Sequence, residues 1–535
     1  MLNHDRRILA GTFALAAIGV LVGGAFLGLI IEGAADPAGG AGAFDAYMLR
    51  VARFTLLQAA LSTLLSILPA MLVARALSRR PAFPGRGMLL ALFAVPLGLP
   101  AVVAAMGVLA LLGRSGYFAG FLSTLHGGQW PGIYGLSGIL VAHVFFNLPL
   151  ASRLLLQALE TVPDDQWRLA SQLGVRGRNA FRLIEWPVLR AALPGVAGLV
   201  FMLCITSFAV VLMLGGGPAA TTLEVAIYQA LRFDFDPARA AALTLLQIGL
   251  TVAVAIGLVR IGTDLAAETN LSVARRRPGD AGMAASFLDA VVIGVAAIFV
   301  AGPLGAVMVA GLEADLARLV TEPRVLRATL TSLVLAGLAA VLAVAAALSL
   351  TAARRALELR RRGARQSLLE TMVGTGAGLV LIVPPIVVGA GWFILLRHVG
   401  NVFAFAPLMV VTVNAAMAMP FAVRAIRPAY DAASARHERL AAALGVAGWN
   451  RLRLIDWPVL ARPMATAFAF AMALSLGDLG VIALFGSDAV QTLPHLLHAR
   501  MGAYRTADAA GIALLLALLC LALVLVAERM GRPSR

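Results

Sequence analysis

The residues whose types and spacing favour a specific chemical role lie in two polar, arginine-rich segments, each set between long apolar stretches. The first copy, residues 161–187, reads TVPDDQWRLASQLGVRGRNAFRLIEWP, and the second, residues 430–458, reads YDAASARHERLAAALGVAGWNRLRLIDWP. Three positions keep their spacing in both copies, namely Gly174, Ile184 and Pro187 in the first and Gly445, Ile455 and Pro458 in the second. Apolar composition does not account for such matched spacing. The repeat therefore predicts two similar docking surfaces, whose chemistry is the recognition of a partner.

Local signals in the first copy predict a short helix, a turn and a second short helix. Pro163 lies near the start of the first helix, where its missing N–H costs nothing, and Asp164 and Asp165 suit the first turn because the helix dipole favours negative charge there. Gly174 suits the left-handed position that ends a helix. A mostly apolar second segment follows, and we expect Pro187 to stop it.

Catalytic and metal-binding constellations are not indicated anywhere in the chain. There is no HExxH motif, no cluster of His and Asp ligands and no nucleophile constellation, which argues against a membrane-embedded enzyme. Cys204 and Cys520 are far apart, so neither a disulfide framework nor a thiolate metal site is predicted. The chain has no lysine and therefore no Walker-type loop. We expect this chain to bind no cofactor and no metal, and nucleotide to bind a different polypeptide.

Single polar residues inside apolar stretches are candidates for a translocation pathway, because polar groups in a bilayer are costly and often functional. Asp478 is the strongest acidic candidate, and Ser207 is its counterpart in the repeat. A structural hydrogen bond to a neighbouring helix is the alternative, worth about 1 kcal/mol. For aromatic residues the alternative is a belt at the membrane interface. The remaining candidates are His143, Asn147, Asn414 and Tyr228.

The composition of the whole chain defines the elements that must position these residues. The 535 residues are 61% hydrophobic and 13% charged, with a mean hydropathy of +0.90. Almost all of the length consists of apolar runs of about 20 residues, the length that spans a bilayer. The sequence therefore predicts an all-α polytopic membrane protein with about 12 transmembrane helices, at roughly 8–31, 54–76, 88–112, 135–158, 190–214, 239–262, 286–311, 328–352, 368–396, 405–427, 463–485 and 509–527.

The arginines predict the orientation of these spans. Of the 43 arginines, 32 fall in loops on one side of a twelve-span arrangement and 11 on the other. By the positive-inside rule, both termini and both polar segments are cytoplasmic. The first run is too long for a signal-peptide core, so we expect a retained span. Because the arginines lie in short loops beside spans, the net charge of +16 is explained by topology, and no nucleic-acid partner is expected.

The repeat divides the chain into two tandem six-helix halves. Both halves have the same orientation, so the repeat is parallel and differs from the inverted repeats of many secondary carriers. The predicted division is residues 1–52 (first span and periplasmic loop), 53–262 (first transmembrane domain), 263–325 (cytoplasmic linker, seventh span and periplasmic loop), 326–527 (second transmembrane domain) and 528–535 (cytoplasmic tail).

The repeated segments resemble a known family. The Gly, nine residues, Ile-x-x-Pro pattern, preceded by RLA in each copy, is similar to the EAA coupling loop of bacterial ABC importer permeases. In that family the loop docks in a groove of a cytoplasmic ATPase subunit. The matching residues are Arg168, Leu169, Ala170, Gly174, Ile184 and Pro187, and Arg439, Leu440, Ala441, Gly445, Ile455 and Pro458. The chain departs from the family where its glutamate is replaced by Arg168 and Arg439 and its Leu-Pro by Trp-Pro.

Longer strings narrow the resemblance. AHVFFNLPLASRLLLQALE at 142–160, the run at 201–231 and SLGDLGVIALFG at 475–486 are similar to the fused permease subunits of thiamine and thiamine pyrophosphate ABC importers. The resemblance implies a type I importer permease fold in the bacterial inner membrane. It also implies two copies of a cytoplasmic ABC ATPase subunit and a periplasmic thiamine-binding protein as partners, besides the lipid bilayer.

A cationic substrate would give the pathway candidates a definite role. Thiamine carries a fixed positive charge, so its passage through a low-dielectric bundle needs a compensating anion, for which Asp478 is the expected residue. The alternatives are a fused permease for ferric iron or another small solute, and a twelve-span proton- or sodium-coupled carrier, which would not need the pair of cytoplasmic segments.

Overall fold

The computed structural model describes residues 2–35, 45–260, 282–361, 365–380, 383–444, 446, 450 and 452–531. All regular structure in these residues is helical, as the sequence predicts. The elements before the second half are α1 (Leu2–Ala35), α2 (Ala46–Arg79), α3 (Arg86–Leu92), α4 (Val95–Gly98), α5 (Ala101–Leu112), α6 (Ala119–Leu125), α7 (Leu136–Glu160), α8 (Asp164–Gln172), α9 (Gly177–Ala180), α10 (Trp186–Ile205), α11 (Ala209–Leu214), α12 (Leu223–Arg232) and α13 (Pro237–Arg260).

The remaining α-helices belong to the second half of the chain. They are α14 (Met283–Glu313), α15 (Leu316–Thr321), α16 (Pro323–Arg361), α17 (Leu368–Leu379), α18 (Pro385–Leu396), α19 (Ala406–Ala443), α20 (Trp457–Leu476), α21 (Gly480–Phe485), α22 (Leu493–Gly502) and α23 (Thr506–Gly531). Two 3₁₀ turns lie at Pro218–Ala220 and Val402–Phe405, and two π-turns at Phe181–Glu185 and Leu452–Asp456.

Ten helices in the described part of the chain are long and apolar enough to cross a membrane. An eleventh crossing is counted if Arg86–Gly98 and Ala101–Leu112, which meet at a bend of 113°, form one broken span. The bend interrupts the predicted span 88–112 at Pro100, which precedes the first residue of α5 and cannot continue a helix with an N–H donor. Two separate helices, α17 and the twelve-residue α18, lie in the predicted span 368–396, and the first residue of α18 follows Pro384.

The N-terminal unit comprises Ala46–Val225 and Gly249–Glu313. Its core is formed by α2, α7 and α10, with fully buried Leu77, Phe145 and Leu189. Helix α14 closes against α5 and α2. A Cβ on Gly107 of α5 would lie 2.4 Å from the Pro303 carbonyl oxygen, so this approach requires glycine.

The C-terminal unit comprises Met1–Asp45, Ala226–Ile248 and Ala314–Arg535. Within it, α1 packs on α16 and α18. Gly28 and Gly391 face each other there, since a Cβ on Gly28 would lie 2.2 Å from the Gly391 carbonyl oxygen. The Trp392 indole donates to the Leu21 carbonyl at 2.7 Å, and Arg397 forms an ion pair with buried Glu32.

Each unit therefore contains the first span of the other half of the sequence. The first predicted span, in α1, is packed among helices of the second half, and the seventh, in α14, among helices of the first half. Small residues let helix backbones approach closely in membrane proteins, where apolar surface alone does not select a neighbour. The close contacts at Gly28 and Gly107 are the local reason why these two helices lie where they do.

Candidate functional site

The first polar segment begins with α8 and a sharp glycine turn. Pro163 precedes α8 as its N-cap, with Asp164 and Asp165 in the first turn, as predicted. Gly174 has φ +66°, and the Val175 N–H donates to the Ala170 carbonyl at 2.8 Å. This bond, together with one from the Gly174 N–H, satisfies the last carbonyls of the helix in the Schellman pattern. The predicted left-handed glycine is confirmed.

The first segment encloses a small core and exposes other apolar residues. Val162, Trp167 and Ala180 form a buried cluster, against which Val175, Ile184 and Val188 pack, and Ala170 is also buried. In contrast, the side chains of Leu169, Leu173 and Leu183 are 56%, 70% and 63% exposed. Arg168 and Pro187 are also exposed. A rigid polar segment that displays several leucines has the composition of a docking surface, since buried contact areas between proteins are apolar at their centre.

Pro187 does not end the second helix, so that prediction was wrong. The helical chain continues from Gly177 to Ile205, and Phe181–Glu185 forms a π-turn directly before Trp186 and Pro187. Proline lacks an N–H and its ring collides with the carbonyl four residues earlier in a regular α-helix. The wider π-turn, a form found mostly as single turns inside helices, accommodates the ring.

A buried ion pair connects this π-turn to α2. Glu185 is fully buried, and the Arg75 guanidinium donates to its carboxylate at 2.5 Å. The same guanidinium lies over the Phe181 ring, 4.5 Å from its centroid. Arg75 therefore binds both ends of the π-turn and links this turn to α2.

The second segment repeats this architecture in the residues that the structure describes. Ala441 is buried, and the Val446 N–H donates to its carbonyl at 2.9 Å, the counterpart of the bond from Val175 to Ala170. A π-turn at Leu452–Asp456 again precedes Trp-Pro. Ile455 is half-buried and Pro458 exposed, as Ile184 and Pro187 are in the first copy.

Parts of the second segment lie beyond the structure's description. Gly445 lies outside the described residues, and so do the side chains of Arg439 and Leu440, whose backbone belongs to α19. One difference between the copies is visible. The helix before the second segment runs unbroken from Ala406 to Ala443, whereas the first segment has a break between α7 and α8 at Thr161–Pro163.

Asp478 and Ser207 lie at matching breaks in the helices that follow the two segments. Helix α20 ends at Leu476 and α21 starts at Gly480, while α10 ends at Ile205 and α11 starts at Ala209. The Asp478 carboxylate accepts hydrogen bonds from the N–H groups of Gly480 and Val481, at 3.2 and 3.4 Å. It therefore caps α21, an arrangement that agrees with the structural alternative, while its predicted role in the pathway stays a prediction.

The other pathway candidates are distributed over both units. In the N-terminal unit, His143 Nδ1 lies 2.9 Å from the Ser62 hydroxyl, and the Asn147 amide donates to Cys204 Sγ at 3.3 Å. In the C-terminal unit, the Asn414 amide donates to the Ser475 hydroxyl at 2.9 Å. Tyr228 is also buried in that unit, edge-on to Phe233. His143, Asn147 and Asn414 thus form hydrogen bonds between helices, which is the structural alternative to a role in the pathway.

A cavity of about 330 Å³ lies in the C-terminal unit. Arg232, Phe403, Asp488 and His495 line it, and the Arg232 guanidinium stacks over Phe403, 5.2 Å from the ring centroid. Helix α22, which carries His495, is not one of the long spanning helices. Burial lowers the pKa of His495 to about 4, so its ring is neutral at pH 7. The cavity thus has one cation, one anion and an aromatic wall.

Sequence reasoning missed the ion pair of Arg75 with Glu185 and the buried Glu224. Glu224 is a single carboxyl group within an otherwise apolar run, the signal that had singled out Asp478, whereas Glu185 lies in the polar first segment and carried no such signal. Glu224 is 1% exposed, and its Oε1 has no hydrogen-bond partner in the described part of the chain.

The fold and the paired segments define a helical, multi-pass membrane protein in which two repeated halves each carry one polar, arginine-rich segment. The pattern of the family described as "Binding-protein-dependent transport system inner membrane component" matches residues 82–265 and 363–532. The chain belongs to this family of inner membrane transport components, and it is a membrane subunit of a transport system rather than an enzyme.

Individual relatives extend over nearly the whole chain. It is 55% identical over 520 residues to the "Thiamine transport system permease protein ThiP" of Brucella abortus (strain 2308), covering 97% of this chain and 94% of that protein. The protein of the same name from Escherichia coli (strain K12) is 45% identical, covering 92% and 90%. A "Putative ferric transport system permease protein FbpB 1" of Haemophilus influenzae is 31% identical over 156 residues, which is 28% of this chain.

Proposed function

We propose that this chain is the permease of a thiamine ABC importer and moves thiamine, and thiamine phosphates, from a periplasmic binding protein to the cytoplasm. The similarity to thiamine permeases over 97% of the chain carries the proposal. The similarity to a ferric permease covers a quarter of the chain and does not favour iron. The proposed division into domains is the one stated from the sequence, with two transmembrane domains at residues 53–262 and 326–527.

Two copies of a separate ATPase subunit are the proposed cytoplasmic partners. Both segments contain the corresponding hydrogen bond, from Val175 to Ala170 and from Val446 to Ala441, and both contain a π-turn, so each offers one similar surface. Exposed Leu169, Leu173 and Leu183 in the first copy supply apolar contacts for such a partner. The π-turn and the Arg75–Glu185 pair support transmission of ATP-driven movement into the membrane helices.

A purified complex tests this function directly. The chain is reconstituted in liposomes with its ATPase subunit and its binding protein, and uptake of labelled thiamine is measured with and without ATP. We expect uptake that needs ATP and the loaded binding protein. Transport of ferric iron, or of another solute, in place of thiamine would contradict the proposal. ATP-independent uptake driven by a proton or sodium gradient would instead favour the secondary carrier.

Reporter fusions test the proposed orientation in the inner membrane. The distribution of 32 and 11 arginines places both termini and the linker at 263–285 in the cytoplasm. A phosphatase fused after residue 276 or 535 is therefore expected to be inactive. A periplasmically active fusion at either position would disprove this topology.

A further inference from the structure

The starting observation is a set of buried polar atoms in the N-terminal unit that are not hydrogen-bonded to other described residues. They include Glu224 Oε1, Thr222 Oγ1, Gln58 Oε1 and His143 Nε2, which lie on α2, on α7 and at the start of α12. Leaving one such group unsatisfied costs about 1–3 kcal/mol. A ligand or bound water in this region explains these four atoms.

One hydrogen bond fixes the position of Glu224. The N–H of Leu223, the residue before it, donates to the Thr55 hydroxyl of α2 at 3.0 Å. Thr55 begins a stripe of buried polar residues along α2 that continues with Gln58, Ser62 and Ser66. Residues three and four apart share one face of a helix, so these side chains form a continuous polar seam.

The seam connects α2 with α7 and α10. The Gln58 amide N–H donates to the Cys204 carbonyl at 2.9 Å, and the Ser62 hydroxyl pairs with His143 Nδ1. These bonds hold the Gln58 and His143 side chains in place while Gln58 Oε1 and His143 Nε2 remain unused. Each of these two unused atoms is therefore positioned by a hydrogen bond on the other side of its own side chain.

The chemistry of the unused atoms selects a class of ligand. Glu224 Oε1 and Gln58 Oε1 are acceptors, and no arginine forms an ion pair with Glu224 in the described residues. Burying an ionised carboxylate without a partner is costly, whereas a buried charge that gains a counter-charge and donors is stabilised. A positively charged heterocycle with N–H donors supplies both.

On this basis we infer that Glu224, with Gln58 and Thr222, forms the counter-charge site for an organic cation in the N-terminal half. The inference rests on the proposed function, since the thiazolium of thiamine is such a cation and its aminopyrimidine carries the donors. Asp478 is a weaker candidate because two backbone N–H groups already engage its carboxylate. We therefore expect Glu224, and not Asp478, to distinguish a cationic substrate from a neutral one.

Single-turnover uptake from a loaded binding protein tests the inference in the reconstituted complex. The two ligands are thiamine and its neutral isostere, in which a thiophene ring replaces the thiazolium. Glu224→Gln is expected to lower thiamine uptake at least tenfold and to change uptake of the isostere less than twofold. Glu224→Asp, which keeps the charge, should fall between wild type and Glu224→Gln. Asp478→Asn tests the competing acid: a selective loss of thiamine uptake in this variant, with none in Glu224→Gln, would return the counter-charge role to Asp478.

Thermal unfolding of the same complexes separates this role from a structural one. A buried carboxyl group without a counter-charge contributes no net stability, so Glu224→Gln should unfold at or above the wild-type temperature. A lower unfolding temperature with equal loss of both ligands would overturn the inference in favour of a structural carboxyl. Unchanged thiamine uptake in Glu224→Gln would also overturn the inference and would mean that only water binds at these polar atoms. If wild type moves no thiamine, the proposed function fails first.

Discussion

Helices α2 and α16 occupy corresponding positions in the two halves of the chain. The same kind of hydrogen bond lies at the start of both buried faces, but the side chains that follow are polar on α2 and apolar on α16. In each half a hydroxyl on the long helix accepts the N–H of the leucine that starts a short helix, from Leu223 to Thr55 at 3.0 Å and from Leu493 to Ser332 at 2.8 Å. Beyond the anchor, α2 buries Gln58, Ser62 and Ser66. Helix α16 buries only apolar residues in the corresponding turns, namely Leu335, Ala336, Ala339, Ala340, Ala343, Val344 and Ala347.

The same contrast continues in the neighbouring helices. Glu224 follows Leu223 in the first half, but Pro494 follows Leu493 in the second. Asn147 of α7 corresponds to Ala418 of α19. An alanine seam packs helices closely and costs no desolvation, whereas a polar seam costs free energy unless its groups are paired. The comparison teaches that both halves keep the same backbone anchor, while only α2 of the two long helices continues beyond it with Gln58, Ser62 and Ser66.

The largest expected effect comes from the anchor of the first docking segment. Glu185→Gln breaks the buried pair with Arg75 and leaves its guanidinium without a carboxylate, which destabilises the complex by about 3 kcal/mol. Its unfolding temperature and its transport per ATP hydrolysed should both fall. Asp165→Asn is the control, because its pair with Arg168 is exposed at 92% and 72% and spans 3.8 Å. Equal effects of the two substitutions would show that the pair of Arg75 with Glu185 has no special role in coupling.

The shared anchors should respond alike in the two halves. Thr55→Val and Ser332→Ala each leave the N–H of a buried leucine unsatisfied, at a cost of about 1–3 kcal/mol. Chemical denaturation of the purified complex measures both variants on one scale. A large effect at Thr55 with none at Ser332 would mean that the two frameworks are not equivalent.

The smallest effect is expected at the glycine turn. Gly174→Ala places a Cβ in the left-handed region at a cost of about 1 kcal/mol, and no atom lies within 4 Å to add a collision. We expect a modest increase in ATP hydrolysed per thiamine moved. The exposed helical Gly120, whose added Cβ also meets nothing, provides the control Gly120→Ala. Gly445→Ala should match Gly174→Ala, and a normal coupling ratio in both would contradict the role of these turns.

Much of this molecule could be predicted from local sequence signals. Runs of apolar residues of spanning length predicted a helical membrane protein, because that composition has no stable soluble fold. The matched positions in the two polar segments predicted paired surfaces, and Gly174 predicted a left-handed turn, because glycine adopts that conformation without a steric cost. These signals depend on a residue and its neighbours in sequence, so one chain is enough to read them.

The tertiary structure alone decided which helices pack together and which polar atoms stay unpaired. Lipid-facing and protein-facing sides of a spanning helix are both apolar, so periodicity could not place α1 among helices of the second half or α14 among those of the first. The π-turn before Pro187 depends on the continuation of the helix into α10. Asp478 and Glu224 look alike in sequence, since each is a single acid in an apolar run. Only the structure shows that backbone N–H groups bind the Asp478 carboxylate, whereas Glu224 is buried with one oxygen that accepts no hydrogen bond from the described residues.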